Sequence, residues 1–189
     1  MIRQFVSNYV AELKRAMDLI PLDKLEQTIE ILIDAYETGH QIFIMGNGGS
    51  GATASHFVCD LNKGVRRGKT KRMRCICLNE NMPSILAYAN DLSYEDIFVG
   101  QLENFLEKED VVIILSSSGN SPNVLKAIKF ANQKSAHTIA FTGYKGGQVA
   151  VLAKISIVIP AEDVQKIEDI HLILTHMIMQ IFQKKTGNE

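Results

Sequence analysis

The spacing of hydrophobic positions changes once along the 189-residue chain, near residue 41. Before that point, apolar residues recur three and four positions apart in "FVSNYVAELKRAMDLI" (residues 5–20) and in "DKLEQTIEILIDAYETG" (residues 23–39). This period is typical of amphipathic helices. Pro21 separates the two segments, because a proline inside a helix removes a backbone hydrogen bond. The pattern therefore predicts two N-terminal helices, the second ending at Gly39.

After residue 41 the chain alternates between short apolar runs and segments with helical spacing. The apolar runs are "QIFIM", "RCICL", "VVIIL", "HTIAF" and "ISIVI". The helical segments are "ATASHFVCDLNKG", "YEDIFVGQLENFL", "SPNVLKAIKFANQ" and, at the end, "KIEDIHLILTHMIMQIFQKK". Unbroken apolar runs of this length are typical of parallel strands covered on both faces. The order predicts one α/β domain over residues 1–189, a doubly wound five-stranded parallel sheet flanked by helices, with residues 1–40 as an N-terminal helical extension.

The first and last helices carry more apolar surface than one narrow stripe. The stretch "IHLILTHMIMQIF" is apolar around much of its helix. Such helices favour burial between subunits, and packing on the chain's own sheet is the alternative.

A serine-rich stretch, "SSSGNSPN" (residues 116–123), follows the apolar run "VVIIL". Ligands of an open parallel sheet bind beyond the carboxyl ends of its strands, where the strand order reverses. Several hydroxyl groups beside a helix N-terminus form an anion site, which suits the phosphate of a small ester. The alternative is that Ser118 or Ser121 only caps the helix.

A glycine-rich stretch, "MGNGGSGA" (residues 45–52), follows the run "QIFIM" and contains the spacing G-x-G-x-x-G. Its glycines would let a ligand approach the main chain closely. The dinucleotide fingerprint also needs an acidic residue about 20 positions later. Asp60 comes too early for that role and Glu80 comes late. We therefore expect a small ligand here and no nucleotide cofactor.

Composition narrows the function classes further. The net charge of −1 provides no overall electrostatic attraction for nucleic acid. We interpret the basic segment at 64–74 as a solvated loop. The chain shows no signal peptide and no apolar run of about 20 residues, so no membrane association is expected. Cys59, Cys75 and Cys77 are too few for a disulfide framework, which predicts a reducing cytoplasm. We interpret Cys75 and Cys77 as strand packing.

Four segments together resemble the sugar isomerase (SIS) domain family: "GNGGS", "HF", "SSSGNSPNV" and "EDIHLILTHM". The serine stretch is common to SIS domains, and the other segments are similar to its phosphoheptose isomerase branch. The resemblance implies a homotetramer with sites between subunits, and sugar-phosphate contacts from nine residues besides Glu168. These are Asn47, Gly48, Gly49, Asn90, Asp91, Ser116, Ser117, Ser118 and Ser121.

The same resemblance implies a zinc site and acid/base residues on two helices. The matching positions are His56, Asp60, Glu168 and His176 as metal ligands, with Asp60, Glu168 and His176 also catalytic. Here the chain departs from the family, which usually has glutamate at the position of Asp60 and glutamine at that of Glu168. Aspartate places its carboxylate about 1.5 Å further back, and a shift of that order costs about a hundredfold in rate. Whether Asp60 or Glu168 is the base stays open.

The residues themselves are suited to an aldose–ketose isomerisation, which moves a proton between neighbouring carbons through an enediol. His56 and Asp60 are four apart and share a helix face, whereas Glu168 and His176 lie about 12 Å apart along a helix. His176 suits reversible proton transfer to the carbonyl oxygen. We interpret His171 as a packed histidine, and His40 and His137 as lying at the wrong end of the sheet.

Three functions follow from these observations. The first is isomerisation of sedoheptulose 7-phosphate to glycero-manno-heptose 7-phosphate. The second is a catalytically silent SIS module that binds a sugar phosphate or a protein partner such as a replication initiator. The third is isomerisation of a different sugar phosphate, which the exchanged carboxylates at Asp60 and Glu168 would favour.

Overall fold

The computed structural model describes residues 1–64 and 71–187. Most of the basic segment discussed above therefore lies outside the described residues. Within them, five strands form one parallel sheet: β1 (Ile42–Gly46), β2 (Cys75–Cys77), β3 (Val111–Ser116), β4 (His137–Thr142) and β5 (Ile155–Val158). The predicted five-stranded parallel α/β sheet is confirmed.

The helices of the described residues precede, connect and follow these strands. They are α1 (Ile2–Met17), α2 (Leu22–Thr38), α3 (Gly48–Gly64), α4 (Met82–Asp91), α5 (Val99–Phe105), α6 (Pro122–Gln133), α7 (Gly147–Leu152) and α8 (Val164–Thr186), with a 3-10 turn at Tyr94–Asp96. Helix α2 ends at Gly39, as predicted, because Gly39 takes a left-handed conformation with φ 84°.

The sheet has a hydrophobic core on each face, which explains its unbroken apolar strands. In β1, Ile42 and Ile44 belong to the core beneath α2, α3 and α8. Phe43 and Met45 belong to the core beneath α5 and α6. Because alternate strand residues point to opposite faces, a strand covered on both sides needs apolar residues at every position.

The two N-terminal helices differ in how they pack on this sheet. Helix α2 buries several apolar side chains, including Leu32 and Ala35. Helix α1 buries only Ala16, and its contacts with α8 are polar: Tyr9 donates to Asp169 at 2.5 Å and Lys166 pairs with Glu12 at 2.5 Å. The apolar residues Ile2, Phe5, Val6 and Val10 of α1 therefore stay exposed on this chain, whereas Leu13 and Met17 are partly buried against the core.

No helix of residues 1–64 and 71–187 is both long enough and apolar enough to cross a bilayer.

Candidate active site

The strand order brings the glycine-rich and serine-rich stretches side by side. The sheet runs β2-β1-β3-β4-β5, so the order reverses between β1 and β3, which are direct neighbours. The glycine stretch follows β1 and the serine stretch follows β3. Both therefore end at the crevice where open α/β sheets bind their ligands.

A cleft of about 380 Å³ opens at this crevice. Its lining contains the serines of the loop together with residues of four other segments. The lining residues are Asn47, Ser50, Ser116, Ser117, Ser118, Ser121, Tyr144, Val164 and Glu168. We call this space the serine cleft.

The hydroxyl of Ser121 is not used to cap α6. Ser121 occupies the N-cap position, but its side chain accepts no hydrogen bond from the helix. Asn123 satisfies the Val124 N–H instead, at 2.9 Å, and Pro122 has no N–H to offer. Of the two serines that could have been simple caps, Ser118 accepts from Asn120 N at 3.3 Å, inside the loop. The helix-cap alternative therefore does not account for Ser121.

The hydroxyl of Ser117 is buried in the serine loop without a hydrogen bond from the described chain. Ser116 Oγ, by contrast, accepts from Gly119 N at 3.2 Å. Buried hydroxyls are normally paired, and leaving one unpaired costs about 1–3 kcal/mol. In the described chain the Ser117 hydroxyl thus lacks a protein partner and the Ser121 hydroxyl makes no capping bond, which makes both candidates for holding an anion.

The glycines of the first stretch have two different roles. A Cβ at Gly46 would lie 2.7 Å from Leu115 O, and a Cβ at Gly51 would lie 2.9 Å from Asn79 Nδ2. These two glycines are explained by close packing within the protein itself. A Cβ at Gly49 would instead overlap the Glu168 carboxylate, and Gly48 is open with φ 55°. Only Gly48 and Gly49 remain for the predicted ligand approach.

Helix α3 begins at Gly48, several residues before the predicted "ATASHFVCDLNKG" segment. Asn47, which precedes it, is fixed by reciprocal amide bonds with Asn123, each 2.9 Å long. Tyr94 also donates to Asn47 Oδ1 at 3.2 Å. Asn47 therefore ties the two ligand-facing stretches together at the cleft.

Three predicted metal ligands form one cluster, which we call the histidine cluster: His56, Asp60 and His176. The two Nε2 atoms lie 2.8 Å apart, and Asp60 Oδ2 lies 3.3 Å from His56 Nε2 and 3.8 Å from His176 Nε2. Packing of α3 against α8 brings them together. Four-coordinate zinc with nitrogen and oxygen ligands separates them by about 3.4 Å, so this donor set fits a metal with one position left open. The side chains are partly exposed, at 48%, 23% and 44%.

Glu168, the fourth predicted metal ligand, lies apart from the histidine cluster. In the described chain, the ligand atoms that lie within 4.8 Å of one another come from the histidine cluster, and Glu168 contributes none of them. Its carboxylate instead lies in the serine cleft, 3.4 Å from Ser50 Oγ. The carboxylate therefore faces the space where a ligand would lie.

Asn90 and Asp91 are not brought to the serine cleft by this chain. They end α4, and Asn90 Nδ2 donates to Asp91 Oδ1 at 2.8 Å. Asp91 lines a separate depression of about 280 Å³ on the outer side of α4. Helix α4 itself has no buried residue.

The remaining histidines have structural environments. His171 is buried, and burial lowers its pKa to about 4, while its Nε2 lies 3.3 Å from Thr142 O. His40 lies beside Asp110 at 3.5 Å, and His137 lies beside Glu109 at 3.1 Å, both near the amino ends of strands. The predicted packing role of His171 and the placement of His40 and His137 are confirmed.

Cys75 and Cys77 point into the core on β2, and Cys59 is exposed, all three as free thiols. Burial raises the thiol pKa of both strand cysteines, that of Cys77 to about 11. The prediction that they serve packing is confirmed.

Sequence reasoning missed Tyr144 and Asn123 at the site. Asn123 lies in the quoted serine stretch, but its bond to Asn47 depends on how two loops meet. Tyr144 lies in "GYKGG", a third glycine-containing segment after an apolar strand. That repeated placement was the signal that could have found it.

Comparison with known proteins assigns this geometry to a family. The sequence profile described as SIS domain matches residues 4–143. A phosphoheptose isomerase of Citrifermentans bemidjiense is 34% identical over 163 residues, covering 85% of this chain and 83% of that protein. A probable phosphoheptose isomerase of Thermoplasma acidophilum is 36% identical over 177 residues, covering 94% and 97%. The solved phosphoheptose isomerase of Neisseria gonorrhoeae superposes with a TM-score of 0.89 at 26% identity, covering 97% of this chain and all of that one.

Proposed function

Because the chain belongs to the SIS domain family, in the branch of the phosphoheptose isomerases, we propose that it interconverts sedoheptulose 7-phosphate and glycero-manno-heptose 7-phosphate. The observation that carries the proposal is the pairing of two sites at one end of the sheet. The serine cleft offers unpaired hydroxyls, and α3 and α8 supply imidazoles and carboxylates beside it. A sugar phosphate is a ligand that needs both.

The phosphate is held by the loop at residues 116–121. Ser117 and Ser121 donate their unused hydroxyls, and Ser118 lies at the cleft surface between them. Hydrogen bonds from neutral donors to an ionised acceptor are about twice as strong as those between neutral groups. Among the residues that the structure describes, the lining of the cleft contains no cation, which suits one phosphate ester rather than a polyphosphate.

The reaction moves one proton between the first two carbons of the sugar. A base removes a proton from C1 of the ketose, and the electron pair forms the C1–C2 double bond of an enediol as the C2 carbonyl oxygen takes up a proton. Return of a proton to C2, with loss of the proton on O1, gives the aldose. Such a mechanism needs a carboxylate at the carbons and an acid at the oxygens.

We assign the base to Glu168 and the acid to His176. Glu168 lines the cleft, where its carboxylate lies against Gly49 and 3.4 Å from Ser50 Oγ, so it is placed to meet the substrate. Asp60 is instead engaged with both imidazoles of the histidine cluster. The carboxylate that acts on carbon has thus moved from α3 to α8, which explains the two departures from the family pattern.

His56, Asp60 and His176 would hold a zinc ion, with the fourth position open. When bound, the ion supplies a Lewis acid that stabilises negative charge on the sugar oxygens. Asp60 fixes the orientation of the two imidazoles, so that His176 presents one ring nitrogen towards the substrate. Glu168 lies outside this ligand set in our proposal.

A homotetramer with sites between subunits fits the faces that the single chain leaves uncovered. On α1, Ile2, Phe5, Val6 and Val10 are all more than half exposed. Helix α4 is apolar, has no buried residue and ends in Asn90 and Asp91. A second copy covering α4 would bury that helix and fix these two residues beside a sugar site, where the resemblance expects them.

We also propose that the protein works in the cytoplasm. Its three cysteines are free thiols, and the two on β2 are buried away from any disulfide partner. Free thiols persist in reducing compartments.

The test is hydrogen exchange during turnover. Purified protein is incubated with sedoheptulose 7-phosphate in deuterium oxide, with and without a chelator, and the reaction is followed by proton NMR. The proposal predicts an aldose product with deuterium at C2 and a slower reaction with the chelator. Binding of the sugar phosphate without exchange would instead identify a silent SIS module. If the protein turned over a different sugar phosphate and not sedoheptulose 7-phosphate, the assignment of the substrate would be wrong.

A further inference from the structure

Tyr144 adopts a backbone conformation that side chains normally avoid, and it does so at the wall of the serine cleft. Its φ is 50°, in the left-handed region, where a residue other than glycine costs about 1–2 kcal/mol. The residue lines the serine cleft and remains 39% exposed. Strain of this kind concentrates at functional sites.

The backbone around Tyr144 is held against the serine loop. Gly143 N donates to Ser117 O at 2.9 Å, and Val149 N donates to Gly119 O at 2.9 Å. On its other side, Tyr144 N donates to Ala161 O at 3.0 Å. These bonds fix the position of Tyr144 relative to the loop that is expected to hold the phosphate.

Tyr144 also lines a second cleft beside the serine cleft. A neighbouring cleft of about 360 Å³ shares Ser118 and Tyr144 with the serine cleft and contains Lys145 and Glu162 on its far side. Without the ring, a ligand anchored at the serine loop would have two directions in which to extend. A ring that closed the neighbouring cleft would leave the carbon chain the direction of Glu168 and Ser50, which line the serine cleft.

We propose that Tyr144 is a substrate-positioning residue whose ring packs against the carbon chain of the bound sugar phosphate and closes the route to the neighbouring cleft. This rests on the proposed function. The relevant group is the ring, because an aromatic face offers rigid apolar contact to the C–H groups of a sugar. The phosphate itself is held by the serines, so Tyr144 discriminates by the chain and not by the anion.

Because Tyr144 has a left-handed backbone conformation, its ring can be removed by a substitution that does not strain the fold. Tyr144→Gly removes the ring and also the conformational cost, so the folded state is retained. Tyr144→Phe keeps the ring and removes the hydroxyl. Ser135→Gly is the matched control, because Ser135 also has a positive φ, 62°, but lies at the end of α6 and is not part of the cleft lining.

The experiment measures dissociation constants for sedoheptulose 7-phosphate and for inorganic phosphate by titration, with kcat and KM for the heptose phosphate. We expect Tyr144→Gly to raise Kd and KM for the heptose phosphate by about three- to tenfold, the range of one aromatic contact, while inorganic phosphate binding changes by less than about twofold. Tyr144→Phe and Ser135→Gly should match the wild type. Equal losses for both ligands, a loss in Tyr144→Phe equal to that in Tyr144→Gly, or no change in Tyr144→Gly would each overturn the inference.

The binding arm separates this inference from the proposed function. If the wild type binds the heptose phosphate but does not turn it over, the proposed reaction fails and the Tyr144 variants still decide the inference by Kd. If turnover is normal and Kd is unchanged in Tyr144→Gly, the inference alone fails. A wild type that binds no heptose phosphate overturns both.

Discussion

His56 and His176 lie 120 residues apart in the chain, and their Nε2 atoms lie 2.8 Å apart in the structure. The rings meet edge to face at 74°, with Asp60 beside both. Nitrogen atoms this close either share one proton or present their lone pairs to one cation. The pair therefore forms a direct side-chain contact between α3 and α8.

Replacement of His176 by alanine should lower kcat by at least about a hundredfold, because a positioned general acid contributes that much or more. The dissociation constant for sedoheptulose 7-phosphate should change little, since the phosphate is held by the serine loop. The control is His137→Ala, which removes a histidine paired with Glu109 at the start of β4. Undiminished turnover in His176→Ala would remove His176 from the mechanism.

The residues at positions 60 and 168 predict that a second substitution restores activity lost by the first. Glu168→Gln should abolish most turnover while strengthening ligand binding slightly, because a negative charge leaves the phosphate-binding cleft. Adding Asp60→Glu to that variant should restore part of kcat, since the carboxylate returns to the helix that usually carries it in this family.

Steady-state kinetics on Glu168→Gln, on Asp60→Glu and on the double variant check this. Metal content is measured by elemental analysis. Asp60→Asn should lose metal, whereas Glu168→Gln should keep it. A Glu168→Gln variant as active as the wild type would show that Glu168 is not the base.

Ser121 should matter for binding and not for folding. Its hydroxyl caps nothing on α6, so Ser121→Ala should change the free energy of unfolding by less than about 0.5 kcal/mol while raising Kd for the sugar phosphate. Asn81→Ala is the contrasting variant, because Asn81 does cap α4 by accepting from Ser84 N at 3.2 Å. It should lose about 1 kcal/mol of stability and keep its Kd. The reverse pattern would make Ser121 a structural cap.

Buried His171 predicts a specific loss of stability in acid. Its pKa is about 4 in the folded protein against 6.5 when unfolded, so between these values the unfolded state binds more protons. Stability should therefore fall as pH drops from about 6.5 towards 4, by up to about 3 kcal/mol. Chemical denaturation from pH 7.5 to 4.5 should show a shallower pH dependence for His171→Gln than for the wild type. Parallel curves for the two proteins would contradict the assignment.

The sheet was predictable because its strands are buried on both faces. All five apolar runs are observed as strands, with ends within one or two residues of the expected ones. Helix α7 was missed because six residues are too few to display a helical period. Helix α4 was missed because none of its residues is fully buried, and its core contacts come from the partly buried Ile85, Tyr88 and Ala89. The predicted helix over "YEDIFVGQLENFL" is a 3-10 turn followed by α5.

The site was predictable only where a motif is local. The serine loop and the glycine stretch each follow one strand, so their positions at the crevice follow from the order of elements. The separation of Glu168 from His176 follows from their spacing along α8, whereas the position of Glu168 beside Ser50 depends on how α8 packs on α3. Asn90 and Asp91 end α4, and Asp91 lines a depression separate from the serine cleft, which the sequence motif does not reveal.

The most direct measurement is a crystal structure of the protein with sedoheptulose 7-phosphate bound. The phosphate should lie within hydrogen-bond distance of the Ser117 and Ser121 hydroxyls, with the first two carbons of the sugar between Glu168 and His176. A phosphate bound elsewhere, with the loop at 116–121 empty, would contradict the account.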